Sequence, residues 1–270
     1  MALGTSSEGA KHFVLVHGSC HGAWSWYKLV SLLKSCGHNV TAIDLAGSGV
    51  DPRQLNTLGS ISDYIEPLRE FMALLPHKQK VVLVGHSLGG LAISQAMEMF
   101  PEKISVAVFV TATMPGPSLN VSLLLQKALS NQDAQMDNRF TYDDGASSPP
   151  TTFTFGPMFL CSKVYQLSPL EDCALASMLM RPIRLYSGED MSRELVLSQE
   201  KYGSVNRVFI ISENDMVSKE EFVWWMIQEN PPHQVEVING SDHMVMMSKP
   251  IQLCNLLLDI AKRYDYCVSQ

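Results

Sequence analysis

The chain has 270 residues, of which 46% are hydrophobic and 17% charged, and its formal net charge is −7. This composition is typical of a globular protein with a sizeable core, and the negative charge argues against nucleic acid and anionic membrane surfaces as partners. No apolar run reaches the roughly 18 residues of a membrane-spanning helix, and residues 1–10 lack the pattern of a signal peptide. The sequence therefore predicts a cytoplasmic protein without membrane contact.

The six cysteines are scattered, with neither a Cys-x-x-Cys pair nor the spacing of a zinc site. Reduced and mostly buried thiols are the expectation for such a pattern. The sequence also has no cluster of metal-ligating residue types and no Gly-rich nucleotide motif. We therefore predict a reaction that needs no metal and no cofactor.

Apolar, β-rich runs alternate with helical patterns over much of the chain. Strands are predicted at 13–16, 40–43, 81–84, 106–110, 207–211 and 234–238, and helices at 27–33, 61–75, after Ser87, at 220–227 and at 250–262. Strands that alternate with helices of about 10–15 residues indicate a parallel sheet with helices on both faces.

From about residue 114 to 204 this alternation stops. The stretch contains seven prolines, and these separate short helical pieces such as 119–129 and 168–179. A structureless loop of this length inside a compact domain is improbable. We therefore predict a core formed by residues 1–113 and 205–270, with a helical cap inserted at 114–204.

The most informative stretch begins with the apolar strand 81–84. It runs into Gly85-His86-Ser87-Leu88-Gly89 and then into a helical pattern. A Gly-x-Ser-x-Gly sequence between a strand and a helix holds its serine on a sharp, strained turn, with the hydroxyl exposed. Ser87 is therefore the predicted nucleophile.

A serine nucleophile needs a base, and the base needs an acid that fixes its tautomer. Asp215 follows the predicted strand 207–211, and His243 follows the predicted strand 234–238. Both lie where strands end, after the serine and in the order acid then histidine. The predicted catalytic triad is Ser87, Asp215 and His243.

Other residues compete for these roles. Glu213 lies in the same loop as Asp215, and Asp242 is adjacent to His243, although neighbouring side chains seldom make the required contact. His86 flanks the nucleophile, and we expect it to pack beneath the turn rather than to act as the base.

The segment His17-Gly18-Ser19 follows the first strand, at the position where an oxyanion donor belongs. The backbone N–H groups of Ser19 and Leu88 are the predicted oxyanion hole. Each such donor typically lowers the barrier by about 3 kcal/mol.

Together these motifs resemble those of the plant methylesterase family of α/β-hydrolases. The resemblance extends over nearly the whole chain, and the segments that carry it are 12–18, 21–24, 26–28, 85–90, 101–104 and 242–244. It implies an α/β-hydrolase fold, with a mostly parallel six-stranded sheet flanked by helices and a helical cap over the nucleophile. It also implies a plant enzyme that hydrolyses methyl esters of small hormone-like acids with the triad named above.

The hydroxynitrile lyases and a methylketone synthase belong to the same family. Where the lyases have a threonine and a lysine, this chain has Gly18 and Met244, so lyase activity is not expected. The cap and the segment around His243 resemble the methylketone synthase more closely than they resemble the salicylate esterases of the family. That decarboxylase has alanine and asparagine where this chain has Ser87 and Asp215, which favours esterase chemistry in a pocket shaped like that of a decarboxylase.

An apolar substrate pocket is predicted between core and cap. Its candidate lining residues are Gly18, Phe140, Phe153, Phe155, Phe159, Leu160, Tyr165 and Met244. Such a pocket should favour a neutral methyl ester over an ester with a free carboxylate, unless Arg139, Arg181 or Arg184 turns inward.

The leading hypothesis is a serine carboxylesterase that hydrolyses methyl esters of small apolar acids through an acyl-enzyme. One alternative is a β-keto acid decarboxylase that uses His243 and the apolar pocket. The other is a ligand receptor that keeps the hydrolase fold without turnover. A small-molecule ester is the expected partner, and a homodimer is left open.

Overall fold

In the computed structural model, residues 9–129, 136–145 and 147–264 are described. The strands are β1 (His12–Val16), β2 (Asn39–Ile43), β3 (Val81–His86), β4 (Ile104–Val110), β5 (Arg139–Thr141), β6 (Thr152–Thr154), β7 (Ile183–Arg184), β8 (Arg207–Ser212) and β9 (Gln234–Ile238). Six of them form one sheet in the order β2-β1-β3-β4-β8-β9, and every pairing in it is parallel.

Helices cover this sheet and occupy part of the segment between β4 and β8. They are α1 (Tyr27–Ser35), α2 (Ile61–Leu74), α3 (Gly89–Met99), α4 (Val121–Leu129), α5 (Pro157–Phe159), α6 (Leu170–Leu179), α7 (Gly188–Glu194), α8 (Glu220–Glu229), α9 (Val245–Ser248) and α10 (Pro250–Arg263). One turn of π-helix, Leu160–Val164, continues α5.

The four central strands, β1, β3, β4 and β8, are buried on both faces, which is why they are largely continuous apolar runs rather than alternating ones. In β1 the side chains of Phe13 and Leu15 belong to the cluster that contacts α1 and α10. Val14 and Val16 belong to the opposite cluster, with residues of α2 and α3. Because successive side chains of a strand point to opposite faces, each strand supplies both halves of the core.

The segment between β4 and β8 differs from the helical cap that the sequence predicts. Its helices α4 and α6 match the predicted pieces 119–129 and 168–179. It also contains a three-stranded antiparallel sheet, β5-β6-β7, that the sequence did not predict. Strands of two or three residues are too short for an alternating pattern to be recognised. The boundaries at 113 and 205 stay predictions.

The expectation that all cysteines are reduced is wrong for two of them. Cys161 and Cys173 form a disulfide between the π-helical turn and α6, whereas Cys20, Cys36 and Cys254 are free. The two partners are 12 residues apart, and their separation in the sequence carries no motif. The fold of this segment is what brings them together.

Within the described ranges, no helix is both long and apolar enough to span a membrane.

Candidate active site

The turn between β3 and α3 has the strained backbone that the sequence predicts. Ser87 has φ of 52°, the left-handed region that non-glycine residues rarely adopt. Its N–H donates to the Val110 carbonyl, and its own carbonyl accepts from the N–H groups of Gly90 and Thr113, at 3.1 and 3.0 Å. These bonds to α3, to the end of β4 and to the segment after it hold the strained residue in place.

Gly89 shows why a glycine must follow the nucleophile. A Cβ atom on this residue would lie 2.5 Å from the His17 carbonyl oxygen and 2.8 Å from that of Val16. The first turn of α3 therefore contacts the backbone at the end of β1. Any side chain at this position would push the helix away from the loop that follows β1.

Asp215 and His243 meet at the carboxyl ends of β8 and β9. The Nδ1–H of His243 donates to Asp215 Oδ2 at 2.9 Å, and both side chains are nearly buried. Asp215 Oδ1 accepts from the backbone N–H groups of Val217 and Ser218. This arrangement leaves the lone pair of the imidazole on Nε2, which is the atom that a general base needs.

The loop that carries His243 is also held through its backbone. The His243 carbonyl accepts hydrogen bonds from His86 Nε2 at 2.9 Å and from Thr111 Oγ1 at 3.2 Å. Among the described residues, no hydrogen bond joins the Ser87 hydroxyl to His243. Contacts between nucleophile and base are often long in the absence of substrate and shorten in the reacting complex.

The competing acids have other partners. Asp242 is fully buried, and it accepts from Leu167 N–H, Ser168 Oγ and Met244 N–H. The exposed Glu213 accepts from the Gly240 N–H at 2.7 Å. In the described structure the contact with the imidazole is made by Asp215.

His86 packs beneath the turn, as the sequence suggests. It is buried, and the combined effect of burial and the neighbouring His243 ring, 4.8 Å away, lowers the pKa of His86 well below its usual value. Its Nε2 carries the proton because the His243 carbonyl can only accept. The neutral ring therefore supports the backbone carbonyl of His243 through Nε2.

Both predicted oxyanion donors are oriented by the carbonyl in their own peptide unit. The Gly18 carbonyl accepts from His17 Nδ1 at 2.8 Å and from the His21 N–H at 3.3 Å. The Ser87 carbonyl is held by the two bonds described above. In a planar trans peptide the N–H points opposite to the C=O, so these bonds set the directions of the Ser19 and Leu88 N–H groups.

Neither N–H has a protein acceptor in the described part of the chain. Gly18 itself lies directly against the nucleophile, since a Cβ on it would lie 2.7 Å from Ser87 Cβ and 2.9 Å from His86 Nδ1. Two N–H groups without a protein acceptor, beside a strained serine, are what an oxyanion hole requires.

The predicted pocket residues form a connected apolar group. Leu160, Tyr165 and Met244 are fully or nearly fully buried in the cluster on the α1 side of the sheet. Phe155 stacks on Phe159, with ring centroids 5.6 Å apart. Phe153 contacts both Phe155 and Phe140, at 5.0 and 5.2 Å. Their role in lining a pocket stays a prediction.

Of the three arginines considered, Arg181 is tied to the core. Its Nη1 donates to the carbonyls of Gly49 and Asp51, and its backbone N–H donates to the Cys20 carbonyl. Arg139 is exposed and Arg184 is half-buried. No group of three or more His, Cys, Asp or Glu side chains within the described ranges could hold a metal ion.

Two polar residues near the site were missed by the sequence analysis. His21 was recognised only within the segment 21–24, and Thr111 was not singled out. His21 contacts the Ser19 carbonyl and the Tyr165 hydroxyl. Its place two residues after Ser19 was the signal that could have identified it.

Comparisons with known proteins identify the family of this chain. A family model described as alpha/beta hydrolase fold matches residues 11–250. The chain belongs to the α/β-hydrolase family. The predicted fold with its six-stranded parallel sheet and the resemblance to plant methylesterases are confirmed.

The similar proteins include several esterases. Methyl jasmonate esterase 1 of Vitis vinifera is 52% identical over 256 residues, which cover 94% of this chain and 98% of that protein. A solved structure of polyneuridine aldehyde esterase is 43% identical, with a TM-score of 0.88, and the match covers 94% of this chain and all of that one (100%). This α/β-hydrolase is accordingly an enzyme that acts on carboxylic ester bonds.

Another similar structure is that of a synthase. The structure of a variant of tomato methylketone synthase I complexed with beta-ketoheptanoate is 55% identical, with a TM-score of 0.91, and the match covers 95% of this chain and 98% of that one.

Proposed function

We propose that this α/β-hydrolase is a serine esterase that hydrolyses methyl esters of small apolar carboxylic acids through an acyl-enzyme on Ser87. The observation that carries the proposal is the Asp215–His243 pair on the sheet edge where the strained Ser87 lies. The segment Gly18-Ser19 packs against this serine, and the N–H groups of Ser19 and Leu88 have no protein acceptor among the described residues. The likeness to methyl jasmonate esterase 1 supports a methyl ester as the substrate.

In the first half of the proposed reaction, Ser87 Oγ attacks the ester carbonyl while His243 Nε2 takes the hydroxyl proton. The carboxylate of Asp215 stabilises the imidazolium that forms. The carbonyl oxygen becomes an oxyanion, and it accepts hydrogen bonds from the Ser19 and Leu88 N–H groups. The C–O bond to the methoxy group then breaks, and His243 returns the proton so that methanol leaves.

In the second half, water attacks the acyl-enzyme and gives its proton to His243. The same two N–H groups stabilise the second oxyanion, and the acid leaves as Ser87 regains its proton. The aromatic group at Phe153, Phe155 and Phe159 supplies apolar surface for the acyl chain. An apolar wall of this kind favours small hydrophobic acids over charged ones.

The decisive experiment is multiple-turnover hydrolysis of a panel of methyl esters by the wild type and by Ser87→Ala. We expect turnover by the wild type and a loss on the order of 10⁴–10⁶ in kcat for the variant. Retention of more than a tenth of the wild-type rate by Ser87→Ala would exclude Ser87 as the nucleophile. A wild type that binds but does not turn over any ester would favour the receptor hypothesis.

The second candidate function is β-keto acid decarboxylation, which the likeness to the complex with beta-ketoheptanoate favours. In such a reaction His243 and the apolar pocket would act without a serine nucleophile. The same variant separates the two functions, because Ser87→Ala abolishes ester hydrolysis and leaves a serine-independent decarboxylation in place. A cytoplasmic location is also part of the proposal, from the sequence alone.

A further inference from the structure

His21 contacts both peptide units that flank Ser19. Its backbone N–H donates to the Gly18 carbonyl at 3.3 Å, and its side-chain Nδ1 lies 2.7 Å from the Ser19 carbonyl oxygen. The first of these carbonyls belongs to the peptide unit that contains the Ser19 N–H. One residue therefore holds the turn on both sides of the proposed oxyanion donor.

The tautomer of His21 follows from its partners. A carbonyl oxygen can only accept, so Nδ1 carries the proton and Nε2 has the lone pair. Nε2 lies 2.8 Å from the Tyr165 hydroxyl, which is therefore the donor. The imidazole is buried and lies in stacked arrangements with both Trp24 and Tyr165, with ring centroids 5.3 and 5.8 Å away. Burial lowers the pKa of His21 to about 4, so the ring stays neutral.

The turn that His21 holds is itself strained. Cys20, between Ser19 and His21, has φ of 63°. A non-glycine residue in this region costs on the order of 1–3 kcal/mol and persists only where its surroundings hold it. Without the bond from Nδ1, the Ser19–Cys20 peptide could rotate toward a more relaxed conformation and move the His21 backbone. The His21 N–H would then no longer hold the Gly18 carbonyl, which shares its peptide unit with the Ser19 N–H.

Tyr165 lies in the segment between β4 and β8, far from this turn in sequence. It is nearly fully buried, and burial raises the pKa of its hydroxyl well above the usual value, so it remains a donor. A second contact from the same segment, from the Arg181 N–H to the Cys20 carbonyl at 3.1 Å, holds the turn at its centre. The segment between β4 and β8, called the inserted segment below, thus contacts the turn at two adjacent residues, Cys20 and His21.

We propose that Tyr165, through His21, is a positioning residue that sets the direction of the Ser19 N–H, so that the inserted segment orients one of the two oxyanion donors. This inference rests on the proposed serine esterase function. Tyr165 fixes the orientation of the His21 ring, much as the acid of a catalytic triad fixes its histidine. Here, however, the group that is finally oriented is the backbone N–H of Ser19.

The first test replaces Tyr165 by phenylalanine, which keeps the ring and removes the hydroxyl. An interaction made only in the transition state lowers kcat and kcat/KM equally. We expect kcat to fall about tenfold with KM within about twofold of the wild type, a smaller loss than deletion of an oxyanion donor causes. The matched control is Tyr27→Phe, since the Tyr27 hydroxyl also bonds to the inserted segment, at Asp172, but lies outside the turn. This control should leave kcat unchanged.

The second readout is binding of a trifluoromethyl ketone. Ser87 Oγ adds to its carbonyl carbon, the C=O double bond opens to an oxyanion, and the hydroxyl proton moves to His243. Tyr165→Phe should weaken this adduct by the same factor as kcat and leave the affinity for the acid product unchanged. A rise in KM with an equal loss of product affinity would instead mean that Tyr165 is only a pocket wall, and would overturn the proposal. So would a kcat within twofold of the wild type.

The link can also be tested from its other end. His21→Phe keeps an aromatic ring beside Trp24 but removes both nitrogens, and we expect a loss of about 10²-fold in kcat. His21→Asn keeps a donor near Nδ1 and should lose less. If Tyr165 acts only through His21, the double variant Tyr165→Phe/His21→Phe should equal His21→Phe alone. A loss in kcat for the double variant equal to the product of the two single losses would contradict the link. If Tyr165→Phe does not fold, the comparison of His21→Phe with His21→Asn tests the positioning role.

These variants are assayed on p-nitrophenyl acetate as well as on methyl esters, which separates the two proposals. A wild type that turns over only the activated ester would overturn the methyl ester assignment and leave the positioning role to be judged by the variants. A wild type active on both, with unaffected variants, would overturn the positioning role alone. A wild type inactive on both and unreactive with the ketone would overturn both.

Discussion

The parallel sheet and the segment between β4 and β8 are stabilised differently. The sheet is held by repeated parallel pairings and by apolar side chains on both faces, as in Phe13 and Val14 of β1. The inserted segment also packs apolar side chains such as Leu160 and Val164 into the core, and it adds short antiparallel strands, a disulfide and single polar contacts. A regular pattern therefore builds the first region, whereas the second combines apolar packing with individual contacts.

The difference matters for the proposed chemistry because the inserted segment contacts both loops that carry the proposed catalytic groups. Tyr165 bonds to His21, two residues after the proposed oxyanion donor Ser19, and Leu167 and Ser168 bond to Asp242 beside His243. An ion pair between Lys28 of α1 and the buried Asp172 of α6 ties the same stretch to the core. In the proposed mechanism the core carries the reacting groups, and the inserted segment contacts the residues that hold them.

The largest effect that tests this comparison comes from two carboxylates near the same histidine. Asp215→Asn should lower kcat about 10⁴-fold at neutral pH, because an amide at this position favours the wrong imidazole tautomer. Asp242→Asn should lower kcat by no more than about tenfold, but it should lower the melting temperature because it weakens a buried hydrogen-bonded group. Steady-state kinetics and thermal unfolding of both variants measure the difference, and the reverse order of severity in kcat would make Asp242 the catalytic acid.

The disulfide is expected to stabilise the inserted segment. Closing a loop of this size contributes about 3 kcal/mol in the chain-entropy treatment, so Cys161→Ser should lower the free energy of unfolding by a few kcal/mol. The control is Cys36→Ser, which changes an exposed free thiol and should cost less than about 0.5 kcal/mol.

Denaturant unfolding in the absence of a reductant measures both variants. The wild type with a dithiol reductant should resemble Cys161→Ser. Equal stability of the two cysteine variants would mean that the cross-link contributes nothing.

A smaller effect concerns the charge of the substrate. The kcat/KM of a monomethyl dicarboxylate should be about 10²-fold lower than that of its apolar isostere, because an unpaired carboxylate would be buried against aromatic side chains. Arg181 is occupied by core carbonyls, so Arg139 and Arg184 remain as partners that could reverse the preference. A higher kcat/KM for the charged ester would assign substrate recognition to one of them, and the Arg139→Gln and Arg184→Gln variants would identify which.

The smallest expected effect is that of metal removal. The proposed mechanism moves protons only between Ser87, His243 and the substrate, so dialysis against EDTA should leave kcat unchanged. A loss of activity that added divalent cations restore would show that a metal takes part, and would require a different account of the site.

The sequence alone determined the sheet and the residues at its carboxyl edge. Six strands were predicted near their observed positions, because the four central ones are apolar runs and all six are short β-rich stretches between helical patterns. Ser87, Asp215 and His243 could be proposed because each follows one of those strands, and a parallel sheet gathers such positions at one edge.

Only the tertiary structure decided the contacts of the inserted segment. Tyr165 and His21 are 144 positions apart, and Cys161 and Cys173 are separated by 12 without a motif. The strands β5, β6 and β7 are too short to show a period. Periodic patterns predict elements because many residues repeat the same signal, whereas a contact between two single residues depends on how the whole segment folds over the sheet.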